Sequence, residues 1–157
     1  SFTAEEAWEV LHPGRDESIF FHTWDGVLPA QPGEEPLVVK WTRLREIRAL
    51  VQKSLEELRQ AGGIGSSLQA EVAIAAPEGD RALLESLGAD LRFVLITSTA
   101  TVVPGEALAV RVTASPHAKC ERCWHYREDA GADPRHGAIC GRCVSNIEGP
   151  GEERRHA

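Results

Sequence analysis

Lys119-Cys120-Glu121-Arg122-Cys123-Trp124-His125-Tyr126 and Ala138-Ile139-Cys140-Gly141-Arg142-Cys143-Val144-Ser145-Asn146-Ile147 hold all four cysteines of the chain. They form two Cys-x-x-Cys pairs, Cys120/Cys123 and Cys140/Cys143, and each such turn aims two thiolates at one point. The 16 residues between the pairs are enough chain to fold the second turn opposite the first. The pattern therefore predicts a tetrahedral site for Zn²⁺, whose bonds to sulfur run near ~2.3 Å. Two disulfides would suit a secreted domain, but no signal peptide is visible and the 119 preceding residues lack cysteine. A redox pair would need a single Cys-x-x-Cys beside a β-α-β pattern. Four cysteine ligands leave no position for water, so one structural ion is expected, folding a tail too short to fold alone. His125 and His136 are spare donors, read as surface groups or as neighbours of the site.

At 157 residues the chain could hold one ordinary domain or two small ones. No apolar run approaches the ~18 residues of a membrane helix, so a soluble chain is expected, and the thiolates fit a reducing, cytoplasmic setting. The chain has no Met and opens as a helix already under way, which predicts the carboxyl end of a longer protein. Its net charge of −7 is unevenly spread: residues 1–39 carry one base against eight acids, and residues 40–62 carry six bases against three. An acidic whole argues against a non-specific nucleic-acid binder, while a local basic helix permits a docked contact.

Helix and strand signals divide the chain into 1–38, 39–116 and 117–157. Thr3 and Glu6 make a capping box before Ala7, Trp8 and Leu11, and His12-Pro13-Gly14 ends that helix. Residues 15–37, with Pro29, Pro32 and Pro36, read as a long loop lying on a larger body, with Trp24, Phe20 and Phe21 packed as its anchors. Trp41, Leu44, Ile47, Val51, Leu55 and Leu58 form one apolar stripe over 40–61, decorated by Arg43, Arg45, Arg48, Lys53 and Arg59 and stopped at Gly62-Gly63. A strand is expected over 69–76, then a short helix from Pro77 to Gly88. Residues 89–97 suit helix or buried strand, and helix is the reading taken. Thr99–Val103 and Leu108–Val112 read as two strands joined in a hairpin at Pro104-Gly105. Ser115-Pro116-His117 links this α+β unit to the zinc tail. No phosphate-binding glycine loop and no nucleophile elbow occurs, so no catalytic residue is expected.

The tail is more specific than its cysteines. Cys-x-Arg-Cys-Trp-His-Tyr at 120–126, Cys-Gly-Arg-Cys-Val-Ser-Asn at 140–146 and Gly-x-Gly-Glu-x-Arg at 149–154 resemble the carboxyl-terminal zinc tail of bacterial isoleucyl-tRNA synthetases. Ser-Phe-Thr-Ala-Glu-Glu-Ala-Trp (1–8), Ile-Gly-Ser-Ser-Leu-Gln-Ala (64–70) and Leu-Arg-Phe-Val-Leu-Ile-Thr-Ser (91–98) resemble further blocks of that family, in order. The agreement is loosest at 15–39 and 104–118. His156 departs from it, standing where relatives often carry an aromatic residue.

The resemblance implies an α+β chain comprising the end of a helical anticodon-binding bundle, a small α+β junction unit and a C-terminal Cys₄ zinc finger. It implies a ligase that activates isoleucine with ATP and Mg²⁺ and transfers it to tRNA(Ile), monomeric when intact. The catalytic and editing regions would lie in the remainder of the synthetase chain. Cys120, Cys123, Cys140 and Cys143 are the implied zinc ligands. Because RNA loops are read by stacking and by arginine, Arg122, Trp124 and Arg142 are the expected tRNA contacts. Both arginines are expected to be exposed, with Trp124 weighed against packing beneath the metal, the favoured role for it. Formamidopyrimidine-DNA glycosylases end in a finger of similar spacing and give the rival reading, a DNA-repair protein. A purely structural zinc tail is the second rival. The residues around the cysteines and the agreement over 1–98 favour the synthetase.

Overall fold

The computed structural model describes residues 2–23 and 29–153, and within them the fold is α+β. Ser1, Trp24, Arg154 and His156, each read above, lie outside the described residues. The chain divides into two compact units, Ser1–Leu37 and Val38–Ala157.

In the first unit, helix α1 runs Phe2–Leu11. Thr3 lies inside it, so the Thr3/Glu6 capping box does not start this helix; regular geometry is already in place one residue earlier. After Gly14, at φ +86°, the chain returns along α1. The Trp8 indole N–H donates to the Glu17 carbonyl at 2.9 Å, and the Ser18 hydroxyl donates to the Glu5 carboxylate at 2.9 Å. Phe20 and Phe21 are exposed, against the expectation that they pack as anchors.

Helix α2 spans Glu34–Gln60 and starts within the segment read as loop. Pro36 concealed this start. In the first helical turn a proline costs no hydrogen bond, because those N–H groups have no intrahelical partner, and its fixed φ suits the helix.

In the second unit, the α2 stripe behaves as its 3.6-residue period predicts. Leu44, Ile47, Val51 and Leu55 are buried, with Trp41 and Leu58 packed against them. Each such side chain contributes roughly 1.5–3 kcal/mol on full burial. They meet β1, Ala70–Ala76, whose residues Ala70, Val72, Ile74 and Ala76 alternate inward. Pro77 then caps α3, Glu78–Glu85, and a 3₁₀ turn leads into α4, Leu91–Leu95. Helix is therefore the observed state for the ambiguous 89–97 segment, and Leu84, Leu87, Leu91 and Leu95 close the core.

Strands β2, Thr99–Pro104, and β3, Ala109–Ala114, form, but they are not a hairpin. The sheet order is β2-β1-β3, with β1 parallel to β2 and antiparallel to β3. The Pro104-Gly105 turn carries the chain over the end of β1, and the Gly105 N–H bonds the Ala76 carbonyl at 3.0 Å. Turn residues flanked by two strand patterns look alike whether the strands pair with each other or straddle a third. The choice is made by β1, whose small and inward-alternating side chains suit a central strand.

The basic face of α2 is partly neutralised within the fold. Arg43 makes a two-pronged contact with Asp80 of α3, at 2.8 and 2.7 Å, and Arg59 pairs with Glu56. The 115–117 linker is fastened rather than loose. The Ser115 N–H donates to Gln69 O, and its hydroxyl donates to the Glu71 carboxylate, both at 2.8 Å.

Candidate metal centre and nucleic-acid interface

Strands β4, Ala118–Lys119, and β5, Tyr126–Arg127, pair antiparallel and bring the two ends of the first knuckle together. The knuckle closes through Trp124 N–H to Cys120 O and Cys120 N–H to His125 O, both at 2.9 Å. The turn requires Trp124 to adopt φ +65°, the left-handed region that few side chains occupy. The second knuckle is the start of helix α5, Gly141–Glu148: Cys140 caps it and Cys143 lies in its first turn. Asp129 accepts the Gly141 N–H at 3.0 Å. A Cβ at position 141 would stand 2.9 Å from that carboxylate, so a larger residue there would shift the Asp129 side chain.

All four sulfurs lie within 4.8 Å of one another. Cys120 Sγ to Cys143 Sγ and Cys123 Sγ to Cys140 Sγ are both 3.8 Å. A tetrahedron with Zn–S bonds of ~2.3 Å has edges of about 3.8 Å, the separation that both of these pairs show. Metal-free, burial pushes the Cys140 thiol up to about 12. Burial also works against ionisation of Cys120, but the N–H groups of Cys123, Cys140 and Arg122 bring it down to about 6. A divalent ion removes this conflict by binding all four as thiolates. Apart from these sulfurs and Ile139 the module has little apolar core, so one structural Zn²⁺ is what its four-cysteine cluster calls for.

The histidines take other roles. His125 is buried, its Nδ1 donates to Cys123 O at 3.1 Å, and its ring meets Phe93 edge-on at 5.6 Å between centroids. Burial, helped by nearby arginines, lowers its pKa. His136 Nε2 lies 2.7 Å from Glu148. Neither belongs to the sulfur cluster.

Of the three side chains expected to meet RNA, Arg122 and Trp124 stand at the first knuckle and are exposed. Trp124 does not pack beneath the metal: 59 % of it is exposed, and the Lys119 ammonium lies 5.2 Å from its ring centre. The left-handed turn that closes the knuckle is what directs it outward. Arg122 Nη1 also approaches Cys143 Sγ at 3.7 Å, which ties the two knuckles. Arg142 contradicts its expected exposure. Its side chain is 14 % exposed, pairs with Glu152 at 2.8 Å and lies over Phe93 at 5.2 Å. Helix α5 turns position 142 toward the α+β unit, a direction that the knuckle spacing alone does not reveal.

Sequence reasoning also missed Ser98. It is fully buried just before β2; its hydroxyl donates to the Leu68 carbonyl and accepts the Tyr126 N–H. Its only sequence signal was a small polar residue inside an apolar block.

Residues 119–146 match the zinc finger found in FPG and IleRS. Isoleucine–tRNA ligase of Thiobacillus denitrificans is 57 % identical over 157 residues, covering 100 % of this chain and 17 % of the relative. The ligase of Cupriavidus pinatubonensis is 56 % identical over 162 residues, and that of Nitrosomonas europaea 53 % over 164, with the same coverages. The chain thus spans 17 % of the length of these relatives. Agreement over the full chain, not the finger alone, favours the synthetase over the glycosylase. Among the described residues no helix is long and apolar enough to cross a membrane. The chain is similar over its whole length to the C-terminal, zinc-finger-bearing region of isoleucine–tRNA ligases.

Proposed function

We propose that this chain is the zinc-stabilised, tRNA-binding part of a cytoplasmic synthetase that joins isoleucine to tRNA(Ile). ATP and Mg²⁺ act in the remainder of that synthetase, which is monomeric in this reading. Residues 1–38 end the anticodon-binding bundle, 39–116 form the junction unit, and 117–157 form the zinc tail. Cys120, Cys123, Cys140 and Cys143 hold the ion. Arg122 and Trp124 meet the anticodon region, one as a phosphate or base-edge donor and the other as a stacking platform.

The observation that carries this reading is the exposed Trp124 beside Arg122, both on the turn that presents the first cysteine pair. An indole 59 % exposed has little packing reason to be there, whereas base–aromatic stacking supplies roughly 1–3 kcal/mol per base. Trp124→Ala is expected to weaken tRNA(Ile) binding by about tenfold while zinc content stays at one ion per chain. Equal affinities of the two proteins in a filter-binding titration would leave the purely structural tail as the better reading.

A further inference from the structure

We propose that Arg92, Arg142 and Arg127 form an RNA phosphate-binding site where α4 meets the zinc module, with the Glu152 carboxylate occupying the anion position until RNA displaces it. The inference rests on the tRNA reading above and names a contact away from the first knuckle.

Phe93 organises the site. The Arg92 guanidinium lies 4.7 Å from its ring centre and that of Arg142 5.2 Å, so one ring seats two cations. Arg127, on β5, is close enough to act on Arg92 electrostatically, as is Arg142. Burial and these two like charges lower the Arg92 pKa. Arg127 is held by Asp129 at 3.1 Å and Arg142 by Glu152 at 2.8 Å. Arg92 rests on the Phe93 ring and is acted on by the Glu152 and Asp90 carboxylates as well as by the two arginines. Three guanidinium groups gathered on a protein of net charge −7 repel one another, and the Glu152 and Asp90 carboxylates, which favour the charged form of Arg92, offset that only in part. An oxyanion shared among them would remove that repulsion, and guanidinium groups bind phosphate in a forked geometry.

Glu152 supplies the second line of argument. It follows α5 on a return segment fastened by Gly151 N–H to Ser145 O at 3.1 Å and Glu152 N–H to Asn146 Oδ1 at 2.9 Å. Its carboxylate accepts from both Arg142 at 2.8 Å and Asn146 Nδ2 at 3.2 Å. A carboxylate with two side-chain donors that also acts on Arg92 electrostatically marks where an anion is favoured. It sits on a segment of a few residues, which can withdraw at lower cost than a helix.

The test compares tRNA(Ile) affinity across a potassium chloride series for the zinc-loaded protein and its Arg92→Gln, Glu152→Gln and Trp124→Ala variants. Arg92→Gln is expected to weaken binding about five- to tenfold and to reduce the slope of log Kd against log salt by about one. Glu152→Gln keeps the hydrogen-bonding shape without the charge and is expected to tighten binding severalfold. A misfolded variant would not gain affinity, so that result is independent of any loss of stability. If both variants bind like the parent while Trp124→Ala weakens binding, the tRNA reading stands and this inference is overturned. If the parent itself does not bind tRNA(Ile), the tRNA reading fails first and this inference falls with it.

Discussion

The backbone N–H of Tyr126, in the zinc module, donates to the buried hydroxyl of Ser98 at 2.6 Å, and that hydroxyl in turn donates to the carbonyl of Leu68. One side chain thus satisfies a donor of the hairpin that carries the first cysteine pair and an acceptor that precedes the central strand. Removing a partner from buried polar groups costs roughly 1–3 kcal/mol, because they lose water without replacement. Ser98→Ala should lower stability by about that amount in urea denaturation, with zinc content unchanged. A change under about 0.5 kcal/mol, the usual range for surface substitutions, would mean that water replaces the hydroxyl.

Zinc removal should unfold the tail selectively. The module buries three cysteines and little else, whereas the α+β unit has a continuous core running from Leu44 to Leu95. Structural zinc contributes roughly 10–16 kcal/mol in finger peptides, far more than so small an apolar core can supply. Chelation should abolish amide-exchange protection over residues 118–148 and leave Ile47, Val51 and Ile74 protected. Loss of protection at all of these positions together would show that the two parts fold as one unit.

The Arg43–Asp80 contact should give stability a specific acid dependence. The hydrogen bond from Arg43, and then its charge, lower the Asp80 pKa below its ordinary value of 3.8. A carboxylate with a depressed folded-state pKa contributes stability above its unfolded pKa, and that contribution is lost as pH falls through the folded value. Arg43 is 44 % exposed, so solvent screening limits the contribution to about 0.5–1 kcal/mol. Asp80→Asn should cost that much at pH 7, and the difference should fade as pH falls below the ordinary value of 3.8. A constant difference across that range, followed by thermal melting, would assign the effect to packing.

Two glycines should respond in opposite directions to the same substitution. A Cβ on Gly105 would lie 2.9 Å from Ala75 Cβ and 3.2 Å from both Ala76 N and Ala107 O, where the turn crosses β1. Gly105→Ala should therefore destabilise by roughly 1–3 kcal/mol, the usual cost of overpacking. Gly79, in the first turn of α3, has open space around its Cβ position, and Gly79→Ala should stabilise by about 0.5 kcal/mol through helix propensity. Equal midpoints for the parent and Gly105→Ala in denaturant titration would mean that the turn can move off the strand end.

The sequence alone determined the four cysteines that the fold gathers into one cluster, the buried stripe of α2, and the central strand with its following helix. Each rests on spacing between neighbours in sequence: two residues between thiolates, 3.6 per helical turn, two per strand repeat. What lay beyond that range needed the tertiary structure. The Pro104-Gly105 turn reads the same whether β2 and β3 pair or flank β1, and the decision belongs to residues some thirty positions earlier. Pro36 looked like a helix breaker because its cost depends on where the helix begins. Trp124 and Arg142 exchanged their expected exposures. The first is set by a left-handed backbone turn, the second by the α+β surface against which α5 lies. Ser98 gains its partners, Leu68 and Tyr126, only when segments distant in sequence are brought together. Such pairings leave no periodic trace, because the packing of whole elements decides them, not the local preferences of the chain.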